Sequence, residues 1–454
     1  MTRKKVDDVF FQLFCEKNSD GTKHLRLRGK ELYQRFGFRL DKSHIRKLAD
    51  FLSSHPEIIS LDLSYNNLGN DGAEILADLY FDKPNSIKHL NLLHCDIEPA
   101  GLKSLSNAKC LNLKSMKLEG NKLGPEGAQF IGTVIDRCEE LETLDIGETD
   151  QTNESIEAIL IVIEKSSLKS LNISRIIPKT YYSKYNTANM ADNISILMKL
   201  NESLEVLRVQ KCEFDGHDIE LLVSGLFYHR NLRMLDLGAN RFGDHGIKFI
   251  GSWLKIRPPN LIGLRLPGNN ITGPGAQILA QNLPFSRIRY LDLQHNKINK
   301  KGVSEILYSI KKSTPMRMFF IWGNEIGHEE LLTLEKFLKV GILEQECIDV
   351  KIYKSDGNLR AAYYPTNEFV LKSYSISDYG FPPELKIIRN EIVAPTEKPR
   401  ALVNFEFVKR YPPALPKPKL AQHRNSKESD DVSTTSKEEK VSSLLNVQES
   451  GIFI

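Results

Sequence analysis

Six cysteines could carry thiolate chemistry: Cys15, Cys95, Cys110, Cys138, Cys212 and Cys347. A zinc site or a redox pair would need C-x-x-C spacing or a nearby histidine cluster. Neither is present, so the six read as reduced, buried, intracellular thiols. His89 and His94 lie close together, but no acidic pair of metal-ligand spacing accompanies them. Nothing matches G-x-x-x-x-G-K-[ST], H-E-x-x-H or G-x-S-x-G, so no phosphate cradle, zinc helix or nucleophile elbow is expected. Asp62, Asp236 and Asp292 could pass for catalytic carboxylates. Each sits in the same Leu-Asp-Leu triplet, which marks a recurring strand filler rather than a tuned acid–base pair. The expectation is a non-enzymatic chain with no cofactor, no metal and no catalytic residue.

Recognition is the chemistry that remains, and a repeated frame positions the residues for it. The segment Ile58-Ile-Ser-Leu61-Asp-Leu63-Ser-Tyr-Asn66-Asn-Leu68 gives the frame L-x-x-L-x-L-x-x-N/C-x-L. It restarts at Ile87, Leu113, Leu141, Leu168, Leu204, Leu232, Leu261, Ile288 and Met316, at intervals of 29, 26, 28, 27, 36, 28, 29, 27 and 28 residues. Within each unit a short strand points its leucines into the stack. The asparagine, as in Asn121, Asn240, Asn269, Asn296 and Asn324, fills a turn whose backbone groups need partners. Cys95 and Cys212 occupy that same position, while Thr149 and Ile176 mark worn units. Gly72, Gly101, Gly127, Gly246, Gly275 and Gly302 then precede helical patterns such as Ala276-Gln-Ile-Leu-Ala. The predicted fold is an α/β leucine-rich-repeat solenoid, with parallel strands on a concave face and helices on the convex face.

Residues four positions after each frame start form the middle column of the concave face: Asp62, Asn91, Lys117, Asp145, Asn172, Arg208, Asp236, Arg265, Asp292 and Phe320. Both charge signs alternate, so the face is no phosphate track and no sequence-specific nucleic-acid binding is expected. Candidate protein-binding residues are Arg208 and Arg265 with Tyr290, Met318, Phe320 and Trp322, because arginine and aromatic side chains dominate binding hot spots. The competing reading has a hairpin at 350–364, turning at Asp356-Gly357, fold back and bury the aromatic group. A second candidate is the insertion near 175–190, whose Tyr181, Tyr182 and Tyr185 form either a partner-binding lip or a loop over the weakest units.

The expected organisation is an N-terminal helical cap over 1–57 and ten repeats over 58–345. A C-terminal hairpin or cap then covers 346–381, and an extended, disordered tail covers 382–454. The tail carries Arg410-Tyr-Pro-Pro413-Ala-Leu-Pro416, an R-x-x-P-x-x-P pattern suited to SH3-type grooves. Arg3-Lys4-Lys5 and Lys417-Pro-Lys419 are short basic candidates for nuclear import. The 454 residues have 62 basic and 58 acidic side chains, a net +4, and 41% are hydrophobic, enough for a large core. No apolar run approaches the roughly 18 residues of a membrane span, and no secretory h-region follows Met1.

The unit length and frame resemble the ribonuclease-inhibitor-like subfamily of leucine-rich repeats. More narrowly, three stretches resemble the leucine-rich repeat-containing protein 34 family: the insertion from Ser174 with the helix before Leu204, Phe319-Phe-Ile-Trp322-Gly-Asn324, and Gly341-Ile-Leu with Asp349–Gly357. The likeness covers roughly residues 40–365, and the tail beyond departs from it. It implies a scaffold of the nucleus and nucleolus, also cytoplasmic, with nucleolar protein partners and a role in stem- and germ-cell differentiation. Two alternatives stay open. One is a structural subunit of ciliary or sperm axonemes, with axonemal partners. The other is a GTPase-activating regulator on the same repeat, although the tail mixes Lys427, Lys437 and Lys440 with Glu428, Asp430 and Glu438 instead of the acidic run usual there.

Overall fold

The computed structural model describes residues 6–18, 20–177, 185–312 and 316–364. Ten three- to five-residue strands recur at the frame positions: β3 (Ile58–Asp62), β4 (His89–Asn91), β5 (Ser115–Lys117), β6 (Thr143–Asp145), β7 (Ser170–Asn172), β8 (Val206–Arg208), β9 (Met234–Asp236), β10 (Gly263–Arg265), β11 (Tyr290–Asp292) and β12 (Met318–Phe320). They pair in parallel in chain order, and one residue per unit forms a continuous inner rung. Leu61, Leu90, Met116, Leu144, Leu171, Leu207, Leu235, Leu264, Leu291 and Phe319 stand side by side, all buried. No unit could bury that row alone, so each strand depends on its neighbours.

The strands stay short because the backbone breaks at a fixed point. The residue seven positions after the frame start is left-handed in every unit, from Tyr65 (φ 63°) and His94 (φ 47°) to His295 (φ 52°) and Gly323 (φ 85°). The asparagine one position later stitches the turn. Asn121 donates to the carbonyls of Leu92 and Leu118 and accepts from the amides of Cys95 and Ile97. Cys95 keeps part of this role, its Sγ donating to the Leu63 carbonyl at 3.1 Å, and Cys212 does so toward Ile173 at 3.6 Å. At Thr149 the hydroxyl serves the carbonyl of Ile146 while Gln151 takes those of Gly124 and Thr149, so a worn unit recruits a second side chain.

Helices return on the other side: α4 (Gly69–Leu76), α5 (Pro99–Asn107), α6 (Gly124–Arg137), α7 (Asn153–Glu164), α8 (Thr187–Leu200), α9 (Gly216–Leu226), α10 (Gly243–Lys255), α11 (Gly273–Asn282), α12 (Lys300–Lys312) and α13 (His328–Val340). The frame glycines lie inside their first turns rather than ahead of them. Gly101 shows why: a Cβ there would sit 2.8 Å from Asn70 Oδ1 and 3.0 Å from Asn70 Cα. Among the described residues no helix is long and apolar enough to cross a membrane.

The N-terminal segment, expected as a helical cap around a degenerate Leu25-Arg-Leu27, carries strand as well as helix. It holds three helices, Asp8–Gln12, Gly29–Phe36 and Lys42–Ser54, but also β1 (Cys15–Lys17) and β2 (Lys23–Arg26). β2 joins the main sheet parallel to β3, and β1 runs antiparallel to β2 at the margin. The degenerate Leu25-Arg-Leu27 thus supplies an extra strand, with Leu25 and Leu27 fully buried. At the other end β13 (Val350–Ser355) and β14 (Asn358–Tyr363) form the hairpin, turning at Asp356 (φ 52°) and Gly357 (φ 76°). The hairpin is a separate sheet. Ile348 forms a parallel bridge with Phe319 of β12.

Candidate functional site: the concave sheet face

Alternation along each strand turns the first and third residues away from the leucine rung, onto the concave side. At the N-terminal end Asp62 Oδ2 accepts from Arg28 Nε at 2.8 Å, while its Oδ1 accepts from the Ser64 amide. At the C-terminal end Arg265 spans three strands, Nη1 donating to Asp236 at 3.0 Å and Nε to Asp292 at 2.8 Å. The other oxygens of those two carboxylates accept from the amides of Gly238 and Gln294. Asp62, Asp236 and Asp292 are therefore turn-closing, charge-zipped groups. Their arrangement is structural, as the shared triplet implies.

Between these zippers the pairing fails. On β5 to β8 the buried atoms Ser115 Oγ, Lys117 Nζ, Thr143 Oγ1, Asp145 Oδ2, and Arg208 Nε and Nη2 meet no hydrogen-bond partner. Lys117 is 1% exposed and Arg208 5%. Burial holds the Lys117 amine down to about 7 against the pull of Asp62 and Asp145, with Arg208 and Arg28 opposing its charge as well. Burial raises the Asp145 carboxyl, although the Asn172 side chain and the Gly147 amide serve its other oxygen. Glu119 is pushed up to about 8, mainly by burial and then by the charges of Asp145 and Glu148. A cleft of about 450 Å³ opens beside this stretch, lined among others by Arg28, Lys30, Tyr65, Glu119, Arg208 and Gln210. Most of the orphaned atoms are donors. Nε and Nη2 of Arg208 form the planar edge that grips a carboxylate with two parallel bonds.

Of the two readings of the aromatic candidates, Tyr290, Met318 and Phe320 follow the buried one, through packing on the sheet face itself. Tyr290, Met318 and Phe320 are 1%, 0% and 1% exposed and pack with Val206 and Met234 into a second small core on this side of the sheet. Tyr290 and Phe320 meet edge to face at 5.6 Å. Neighbouring strands are only about 4.8 Å apart, so large side chains in adjacent rows bury one another. The hairpin reaches Trp322, half-buried with its ring 5.8 Å from Tyr363. Of the lip, Tyr181 and Tyr182 lie outside the described residues, as does the proline motif at 410–416. Tyr185 is half-buried and its hydroxyl donates to Met190 Sδ. Sequence reasoning placed Lys117 and Asp145 in the right column without singling them out. It missed Arg28 and Lys30, which enter from the N-terminal segment and so lie outside the frame.

A family model described as Leucine Rich repeat matches residues 58–77, 83–106, 109–132 and 288–307. With the parallel ladder, that match decides the architecture. The fold is a leucine-rich-repeat solenoid. Ribonuclease inhibitors are similar to it in sequence. The protein from Sus scrofa is 27% identical over 68% of this chain and 66% of its own length. The one from Mus musculus is 28% identical over 73% and 72%. Leucine-rich repeat-containing protein 34 of Mus musculus is 27% identical over 47% of this chain and 51% of that protein. The solenoid thus has ribonuclease-inhibitor-like homologues, and the narrower likeness spans about half of each chain.

Proposed function

We propose that this solenoid is a non-catalytic protein-interaction scaffold that docks a partner on its concave sheet, centred on Lys117 and Arg208. The observation that carries this reading is the run of buried, unpartnered polar atoms on β5 to β8, flanked on both sides by fully zipped charges. Leaving such groups unmade costs stability, about 1–3 kcal/mol each, which a protein tolerates where a ligand supplies the missing bonds. The similarity to ribonuclease inhibitors, whose name makes a ribonuclease their target, supports the same class of role. We propose further that it acts in the nucleus, nucleolus and cytoplasm, with a part in germ- or stem-cell differentiation; this rests on the resemblance of the three stretches starting at Ser174, Phe319 and Gly341 alone.

Affinity purification from expressing cells, comparing the natural protein with Arg208→Ala, tests the docking surface. The variant is expected to keep its circular dichroism spectrum and lose its principal partners. An unchanged partner set would remove the concave face from consideration. Proximity labelling tests the compartment, because nucleolar and axonemal neighbours do not overlap.

A further inference from the structure

A second surface lies away from the concave face, at the edge where the helices hand over to the next strands. Just past the ends of α5, α6 and α7 the chain carries Ala108-Lys109, Cys138-Glu139 and Lys165-Ser166. At or just past the ends of α8 to α11 stand large apolar residues that stay in solvent: Leu200 (56% exposed), Phe227 and Tyr228 (42% and 70%), Ile256 (54%) and Phe285 (53%). Leu200, Tyr228, Ile256 and Phe285 lie four, four, five and three residues before the next frame start, so one falls in the same connecting stretch of each consecutive unit. Single exposed hydrophobics are ordinary, but one recurring in each of four consecutive units is not.

The charges around the row have one dominant sign. Within two residues of these four positions stand Lys199, Arg230, Lys255, Arg257 and Arg287, against Glu202 alone. Cations near helix C-termini complement the helix dipole, which accounts for part of this bias. The dipole gives no reason for the apolar row between them.

We propose that this strip docks an acidic amphipathic helix of a partner protein. Packed helices sit about 8–10 Å apart, so the four positions span about 25–30 Å across three gaps. A partner α-helix returns the same face every seven residues, about 10.5 Å, close to that spacing. An extended strand returns a face about every 7 Å and falls out of step. The strip's leucine-, tyrosine-, isoleucine- and phenylalanine-sized contacts suit one apolar stripe, and its basic border suits glutamate and aspartate beside it.

The test uses the full chain and a labelled synthetic 21-residue helix with leucine at i, i+3, i+4 and i+7 positions and glutamate elsewhere, about 30 Å long. Fluorescence anisotropy is expected to show binding that weakens at least about tenfold in the Tyr228→Ser/Ile256→Ser double variant, a loss of hot-spot size. The same peptide with lysine for glutamate is expected to bind at least about tenfold more weakly. Arg208→Ala on the concave face, and Ile161→Ser at an exposed position of α7 outside the strip, should leave binding unchanged, which separates this strip from the concave surface. Tyr228, Ile256 and Ile161 are solvent-exposed, so those variants are expected to keep their melting temperature. No binding, equal binding of both peptides, or indifference to the double variant would each overturn the proposal. So would concentration-dependent self-association abolished by the double variant, because the strip would then belong to a second copy of this chain.

Discussion

Asn121 ties four backbone groups from two successive units. Asn121→Ala should therefore cost about 3 kcal/mol, read as a shift in urea midpoint with unchanged slope. Lys117 works in the opposite direction, since its buried amine lacks a hydrogen-bond partner. Lys117→Met should raise stability by about 1–3 kcal/mol near pH 7. The pH profile carries the sign. Between about 7 and 10.5 the unfolded chain holds a lysine proton that the folded chain has lost, so stability rises with pH. Between 4.5 and about 8 the folded chain holds a Glu119 proton that the unfolded chain has lost, so stability falls with rising pH. Urea titrations across pH should lose the upper rise in Lys117→Met and the lower fall in Glu119→Gln. A profile with neither slope in the natural protein would contradict these assignments.

At the scale of elements, the frame starting at Ile58 and ending at Met316 told where each strand would lie and which column it would present. Leu61 to Phe319 form the rung that spacing implies. Two things stayed hidden for physical reasons. The left-handed residue in each turn is glycine at Gly120, Gly268 and Gly323 but Tyr65, His94, Lys211 or Ala239 elsewhere, so composition does not reveal it. Alternation reports which way a side chain faces, but not how crowded that side is. Tyr290, Met318 and Phe320 face the concave side as expected and still disappear into contacts with Val206 and Met234. Phe320→Ala should then behave as a core truncation, losing about 3–5 kcal/mol and lowering the melting temperature. A variant that melts like the natural protein would return Phe320 to the surface.

Across the whole molecule, stability is carried from unit to unit through one leucine interior. A chain ending after residue 230 would bare the buried Leu207, Val209 and Cys212 of its last unit. Calorimetry should show a transition at least about 10 °C lower and broadened, because each unit is stabilised mainly by its neighbour. A sharp, unshifted transition would mean that the halves are independent.

The reversed direction of β1 changes what one margin of the sheet offers. Parallel pairing from β2 to β12 would let a stack grow without limit, one molecule abutting the next into a filament. An antiparallel strand at one margin presents the wrong polarity for another unit, and the Ile348 bridge occupies the margin at the far end. Among the described residues, both margins of the array thus depart from the plain parallel edge that a further repeat would need.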